Sequence, residues 1–206
     1  MGFFDRMAQE ATYGSGQWMT LGRYVNEIVE IRMFNSQQEK LPDGSPVPML
    51  AVECVVRDFE VTDATMEVQE KGANGVTTTV SKPCPVLKPG QRVTQLINFS
   101  KQPAFSNYKK VLLALFPQLA ELDKDSAEGK QKWAEAAEEA CNSDPKKGDV
   151  NPCKGMIAVC RVTPKLTKKG LPIGVHNWEP FTGDAAKLPP LPHGAAAAAA
   201  EEDDEA

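Results

Sequence analysis

From Leu21 to Phe34 the chain reads LGRYVNEIVEIRMF, and its density of β-branched and aromatic residues predicts a long β-strand. The odd positions Leu21, Val25, Val29, Ile31 and Met33 are mostly apolar and form the expected core face. The even positions carry Tyr24, Arg32 and Phe34, an aromatic-and-basic face. The alternation breaks at Ile28, as it does in a strongly bent strand. After the turn composition of LPDGSPVP, residues 49–61 predict a second strand. Leu50, Val52, Cys54 and Val56 face one way, and Glu53, Arg57 and Phe59 the other. TMEVQEKGANGVTTTV predicts a small hairpin about Asn74–Gly75, and SKPCPVLKPG is too proline-rich for regular structure. GQRVTQLINFSK, residues 90–101, is the third strand.

The period then changes from two to about 3.6. Phe105, Tyr108, Leu112, Leu115 and Phe116 make one helical stripe, limited by Pro117. A second helical segment follows a cap around Asp125 and Ser126, with Trp133, Ala137 and Cys141 on its apolar face. Residues 155–166 and 170–181 predict a closing hairpin with a Lys-Lys-Gly connection. At the other end, residues 3–12 have the spacing of one or two helical turns. Three strands, a helix and a two-strand hairpin are the order of an OB-fold, a five-stranded, partly open barrel. The expected fold is therefore mainly β, a five-stranded OB-fold with a helical insertion between strands 3 and 4. A generic α+β sandwich is the alternative. The expected organisation is an N-terminal arm (1–20), an OB domain (21–182, with the insertion at about 104–150), and a flexible linker with a disordered acidic tail (183–206).

Charge changes this picture at one place. The chain carries 28 acidic and 23 basic residues, and five of the acids (Glu201, Glu202, Asp203, Asp204 and Glu205) lie in the last six positions. The body is neutral and the tail holds the excess, so any cationic function must come from a local cluster. Five cysteines without a CxxC pair are expected to be reduced, mostly buried thiols of a cytoplasmic protein rather than metal ligands. No apolar run reaches the roughly 20 residues of a membrane span, and no signal peptide is expected.

Catalysis has no visible carrier. There are two histidines, no GxSxG, no P-loop and no GxGxxG after a strand. The carboxylates Glu27, Glu30, Glu53 and Asp58, which a two-metal nuclease would need, are scattered along strands. The expectation is a non-enzyme without a cofactor or metal. Single-strand binding requires cations that follow phosphates and flat rings on which bases stack. Tyr24, Arg32 and Phe34 on the first strand, Arg57 and Phe59 on the second, and Lys165, Lys168, Lys169 and Trp178 of the hairpin supply that mixture. Core packing accounts equally for Tyr24, Phe34 and Trp178, and somewhat better for Phe59.

LGRYVNEIVEIRMF, LAVECVV, GQRVTQLINFSKQPAFSNYKKVLLALF and MIAVCRVTPKLTKKGLPIGVHNWEPF resemble, in pattern and order over residues 20–181, the small single-stranded-DNA-binding proteins encoded by bacteriophages. They have in common a first strand with Gly-x-Tyr, a polar strand leading into an Asn/Lys-containing helix, and a lysine-rich hairpin ending in Trp-x-Pro. The resemblance implies an OB-fold that coats single strands in phage DNA replication and recombination, with the same groove residues. It also implies that EEDDEA competes with DNA for the groove or recruits replication and recombination proteins, although Ala206 replaces the terminal aromatic of the bacterial arms. Two alternatives are a protein-interaction or phage structural module and a metal-dependent nuclease.

Overall fold

The computed structural model describes residues 17–60, 65–71, 77–83, 87–101, 103–122, 126–141, 150–166 and 172–191. The first strand expected from the sequence is the central one. It runs as β2 over Gly22–Lys40, longer than the apolar pattern alone indicates. It pairs antiparallel with β3 (Pro46–Glu60) on one side and with β7 (Ile157–Leu166) on the other. The turn between β2 and β3 is closed by Gly44 N–H to Leu41 O at 2.9 Å. Gly44 takes φ +83°, a conformation that favours glycine. Beyond β3 lies β6 (Arg92–Asn98), to whose edge the two-residue β1 (Gln17–Trp18) adds in parallel. Beyond β7 lies β8 (Pro172–Pro180). The sheet order is β1-β6-β3-β2-β7-β8. The expected small hairpin is present as β4 (Thr65–Lys71) and β5 (Thr77–Pro83), a separate two-stranded sheet inserted between β3 and β6.

The main core lies on one face of the sheet, and Val25, Ala51, Val55 and Val159 are buried on the other. Leu50, Val52, Cys54 and Val56 of β3 meet Val93 and Ile97 of β6, Ile28 and Ile31 of β2, and Ala158, Cys160 and Val162 of β7. Helix α1 (Ala104–Leu115) covers them with Ala104, Tyr108, Val111, Leu112 and Leu115. Helix α2 (Ala127–Cys141) adds Trp133 and Ala140, and starts at Ser126, whose Oγ accepts the Gly129 N–H at 2.9 Å. The expected cap is therefore found. Asn151 ties the end of this insertion to the sheet. Its Nδ2 donates to Ile31 O at 2.8 Å and Ala140 O at 3.2 Å, and its Oδ1 accepts from Cys153 N–H at 3.0 Å.

The architecture is mainly β, and the sheet is not closed into a barrel. No backbone ladder joins β6 to β8 among the described residues. The sheet is nevertheless strongly curled. Four strand spacings of about 4.8 Å would hold β6 and β8 roughly 19 Å apart if flat, yet Trp178 of β8 hydrogen-bonds Gln95 of β6. Residues 3–12, where a helix was expected, lie outside the described residues. The described residues continue after β8. A single 3-10 turn spans Ala185–Lys187, and the carbonyl of Pro189 accepts from Arg57.

Candidate nucleic-acid interface

Two register shifts decide which side chains share a face. In β2 the pairing with β3 shifts between Ile28 and Glu30, leaving Val29 as an extra residue. A one-residue shift turns every later side chain to the other face. Tyr24, Asn26 and Ile28 therefore point into the core before the bulge and Ile31 after it, while Glu30, Arg32 and Phe34 turn to the face opposite the helices. In β3 a second shift leaves Arg57 as the extra residue, paired with Glu27 across the open face. Phe59 turns back to pack against the core in register with Tyr24. The expectation that Tyr24 shares a face with Arg32 and Phe34, and Arg57 with Phe59, is corrected on both counts. The bulges are the physical reason.

Tyr24 is 1% exposed, and its hydroxyl donates to Leu21 O at 3.1 Å and lies 2.8 Å from Thr20 Oγ1. Trp178 is 6% exposed and donates its indole N–H to Gln95 Oε1 at 2.6 Å. Both rings are engaged in the core and present no free face for a base, a second correction. Lys165 is exposed on β7, opposite Ile173 of β8. Lys168 and Lys169 at the hairpin tip, and the acidic tail from Glu201 to Glu205, lie outside the described residues.

The pairing of β2, β3 and β6 sets the open face in rows. Phe34 lies beside Met49 and Asn98; Arg32 beside Ala51 and Leu96; Glu30 beside Glu53 and Thr94; Glu27 beside Val55 and Arg92. The Arg32 guanidinium carbon sits 5.8 Å from the Phe34 ring centroid, while its nitrogens reach Glu53 at 3.0 Å and Glu30 at 3.5 Å. Arg57 pairs with Glu27 and donates to Pro189 O at 3.1 Å. With Arg57 counted, three carboxylates (Glu27, Glu30 and Glu53) accompany three arginines (Arg32, Arg57 and Arg92) here, and these rows are close to neutral. Burial raises the Glu30 carboxyl above its ordinary pKa. Arg32 pulls it down and the neighbouring Glu53 adds to the rise.

Phe105, expected on the apolar stripe of the first helix, instead lies exposed at the corner between β6 and α1, a further correction. Phe105 is 70% exposed, with its ring edge-on to Phe99 at 5.0 Å between centroids, and Lys101 and Lys109, four residues to either side of it in the chain, are exposed too. The expected stripe 105–108–112–115–116 and the observed buried set 104–108–111–112–115 share Tyr108, Leu112 and Leu115. Only the smallness of Ala104, suited to close packing under the sheet, separates them.

No protein-family model matches the chain, and no curated protein matches it.

Proposed function

We propose that the protein binds single-stranded DNA without sequence preference, along the open face of the curled sheet. The observation that carries this reading is the pair Arg32 and Phe34, a cation and a ring held together at 5.8 Å on a sheet face that the helices leave uncovered. That is the combination of phosphate partner and stacking platform that single-strand binding uses. The strand order supports the finer fold reading. With β2 central, β6-β3-β2-β7-β8 and a helix between β6 and β7 follow the order of a five-stranded OB barrel opened between β6 and β8. In such folds the face of the second and third strands, here β3 and β6, and the loops before the second strand and within the last hairpin contact the oligonucleotide. Lys165, Lys168 and Lys169 belong to that last hairpin, and the acidic tail Glu201–Glu205 acts as a competitor for the groove or a hook for replication and recombination proteins.

The near-neutral face favours a second reading, a protein-binding module of phage origin, in which Arg32, Arg57, Glu27 and Glu53 form the rim of a polar interface. Fluorescence anisotropy of a labelled oligo-dT across a salt series separates the two. Binding that weakens on a log–log plot by about 0.7 per phosphate contact supports the first, and tighter binding by a chain ending at Gly194 makes the tail a competitor. Absence of binding by both chains at low salt favours the second.

A further inference from the structure

We propose that Phe99 and Phe105, with the exposed Lys101 and Lys109 near them in the chain, form a second nucleobase-stacking shelf, over which a single strand turns as it leaves the open sheet face. The proposal rests on the single-strand reading and assigns it a further contact. Phe105 is 70% exposed at the first turn of α1, where a polar residue would serve the helix equally well. Its ring is braced. Phe99 meets it at 5.0 Å with the planes inclined 61°, and Phe99 is in turn edge-on to the buried Tyr108 at 6.3 Å and 89°. A ring held at one edge and open to solvent has little conformational freedom left to lose when a base stacks on it.

The shelf lies at the end of the open face, where the chain turns toward the helix side. Phe99 follows Asn98, the last member of the row Phe34–Met49–Asn98, and its N–H is fixed to Pro48 O at 3.1 Å. Its electrostatics differ from those of the sheet. The first turn of α1 holds no acidic residue, Lys101 and Lys109 are exposed, and the Lys109 ammonium lies 4.8 Å over the Trp133 ring. Asn98 Nδ2 already engages Glu39, the carboxylate on the β2 side, at 2.7 Å. Exposed rings with exposed cations in the neighbouring turns complement bases with their phosphates.

The test uses the full chain, its Phe105→Ala and Phe105→Trp variants, and oligo-dT of about 6 and about 20 nucleotides, lengths that bracket the ~4–16 nucleotides an OB fold occupies. Phe105→Ala should lose at least about five-fold in affinity for the long strand, the lower end of one base-on-aromatic stack, and keep that for the short one. Phe105→Trp should retain affinity and show DNA-dependent quenching beyond the wild type's. Thermal unfolding verifies that both variants are folded, as an exposed position allows. Wild-type-like binding of both lengths by Phe105→Ala, or an equal loss on both, overturns the shelf and leaves the sheet-face reading standing. Failure of the wild type itself to bind either strand at low salt removes both.

Discussion

Trp178 on β8 donates its indole N–H to the side-chain oxygen of Gln95 on β6 at 2.6 Å, although three strands separate the two in the sheet. The two residues are 6% and 3% exposed, so the bond is made where water does not compete. It joins β6 and β8, between which no backbone ladder runs among the described residues.

Trp178→Phe keeps most of the ring and removes the donor, leaving Gln95 Oε1 buried and unpaired. A loss of about 1–3 kcal/mol is expected from urea unfolding, the usual penalty for a buried polar group deprived of its partner. Adding Gln95→Leu should recover part of that loss, because neither side then carries an unpaired group. If Trp178→Phe unfolds at the wild-type midpoint, the bond does not hold the curl together.

Asn151 is 6% exposed and satisfies three backbone groups from three segments, Ile31 of β2, Ala140 of α2 and Cys153 of the following turn. No apolar side chain can do that. Asn151→Ala should destabilise by about 1–3 kcal/mol. Hydrogen exchange should localise the loosening to α2 and the turn at 151–156. Uniform loss of protection across β3 and β6 would show instead that the insertion and the sheet unfold as one unit.

The order of elements was legible in the sequence because the period of the apolar residues is a local property. LAVECVV alternates, KVLLAL does not, and each element formed where its period indicated. The facing of side chains was less legible. The odd-face reading of β2 fails before Ile28 because a bulge is specified by what a strand packs against and not by its own composition. The irregularity at Ile28 was the only local sign. Arg57 gave none, since RDF alternates as well with Phe59 outward as inward. Phe105 was misplaced for a different reason: two stripes sharing Tyr108, Leu112 and Leu115 are equivalent until the sheet beneath selects the smaller residue, Ala104.

His176 lies on β8 opposite Val162, and its Nε2 has no hydrogen-bond partner. Burial pushes its pKa down to about 4 from the ordinary 6.5. The unfolded chain then binds the proton more readily than the folded one between those values. The neutral ring's contribution is fully present above about pH 6.5 and is lost as pH falls toward 4. Unfolding free energy should drop by up to about 3 kcal/mol across that window. His176→Gln should flatten that part of the pH profile. An unchanged slope in the variant would place the acid sensitivity elsewhere.

Arg32 is shared between Glu53 at 3.0 Å and Glu30 at 3.5 Å, so a phosphate approaching Phe34 must compete with two carboxylates for one guanidinium. Changing Glu53 and changing Arg32 should therefore move DNA binding in opposite directions. Glu53→Gln frees the cation and should tighten oligo-dT binding, steepening the salt dependence by about 0.7 in the log–log slope as one phosphate contact is gained. Arg32→Ala should weaken binding and flatten the slope by a similar amount. Arg32→Lys should fall between them, because an ammonium keeps the charge but not the planar group that lies against the Phe34 ring. Both positions are partly exposed at the surface of a folded sheet, so unfolding free energies should change by less than about 1 kcal/mol. Equal salt slopes for Glu53→Gln and Arg32→Ala would mean that the DNA path does not cross Arg32.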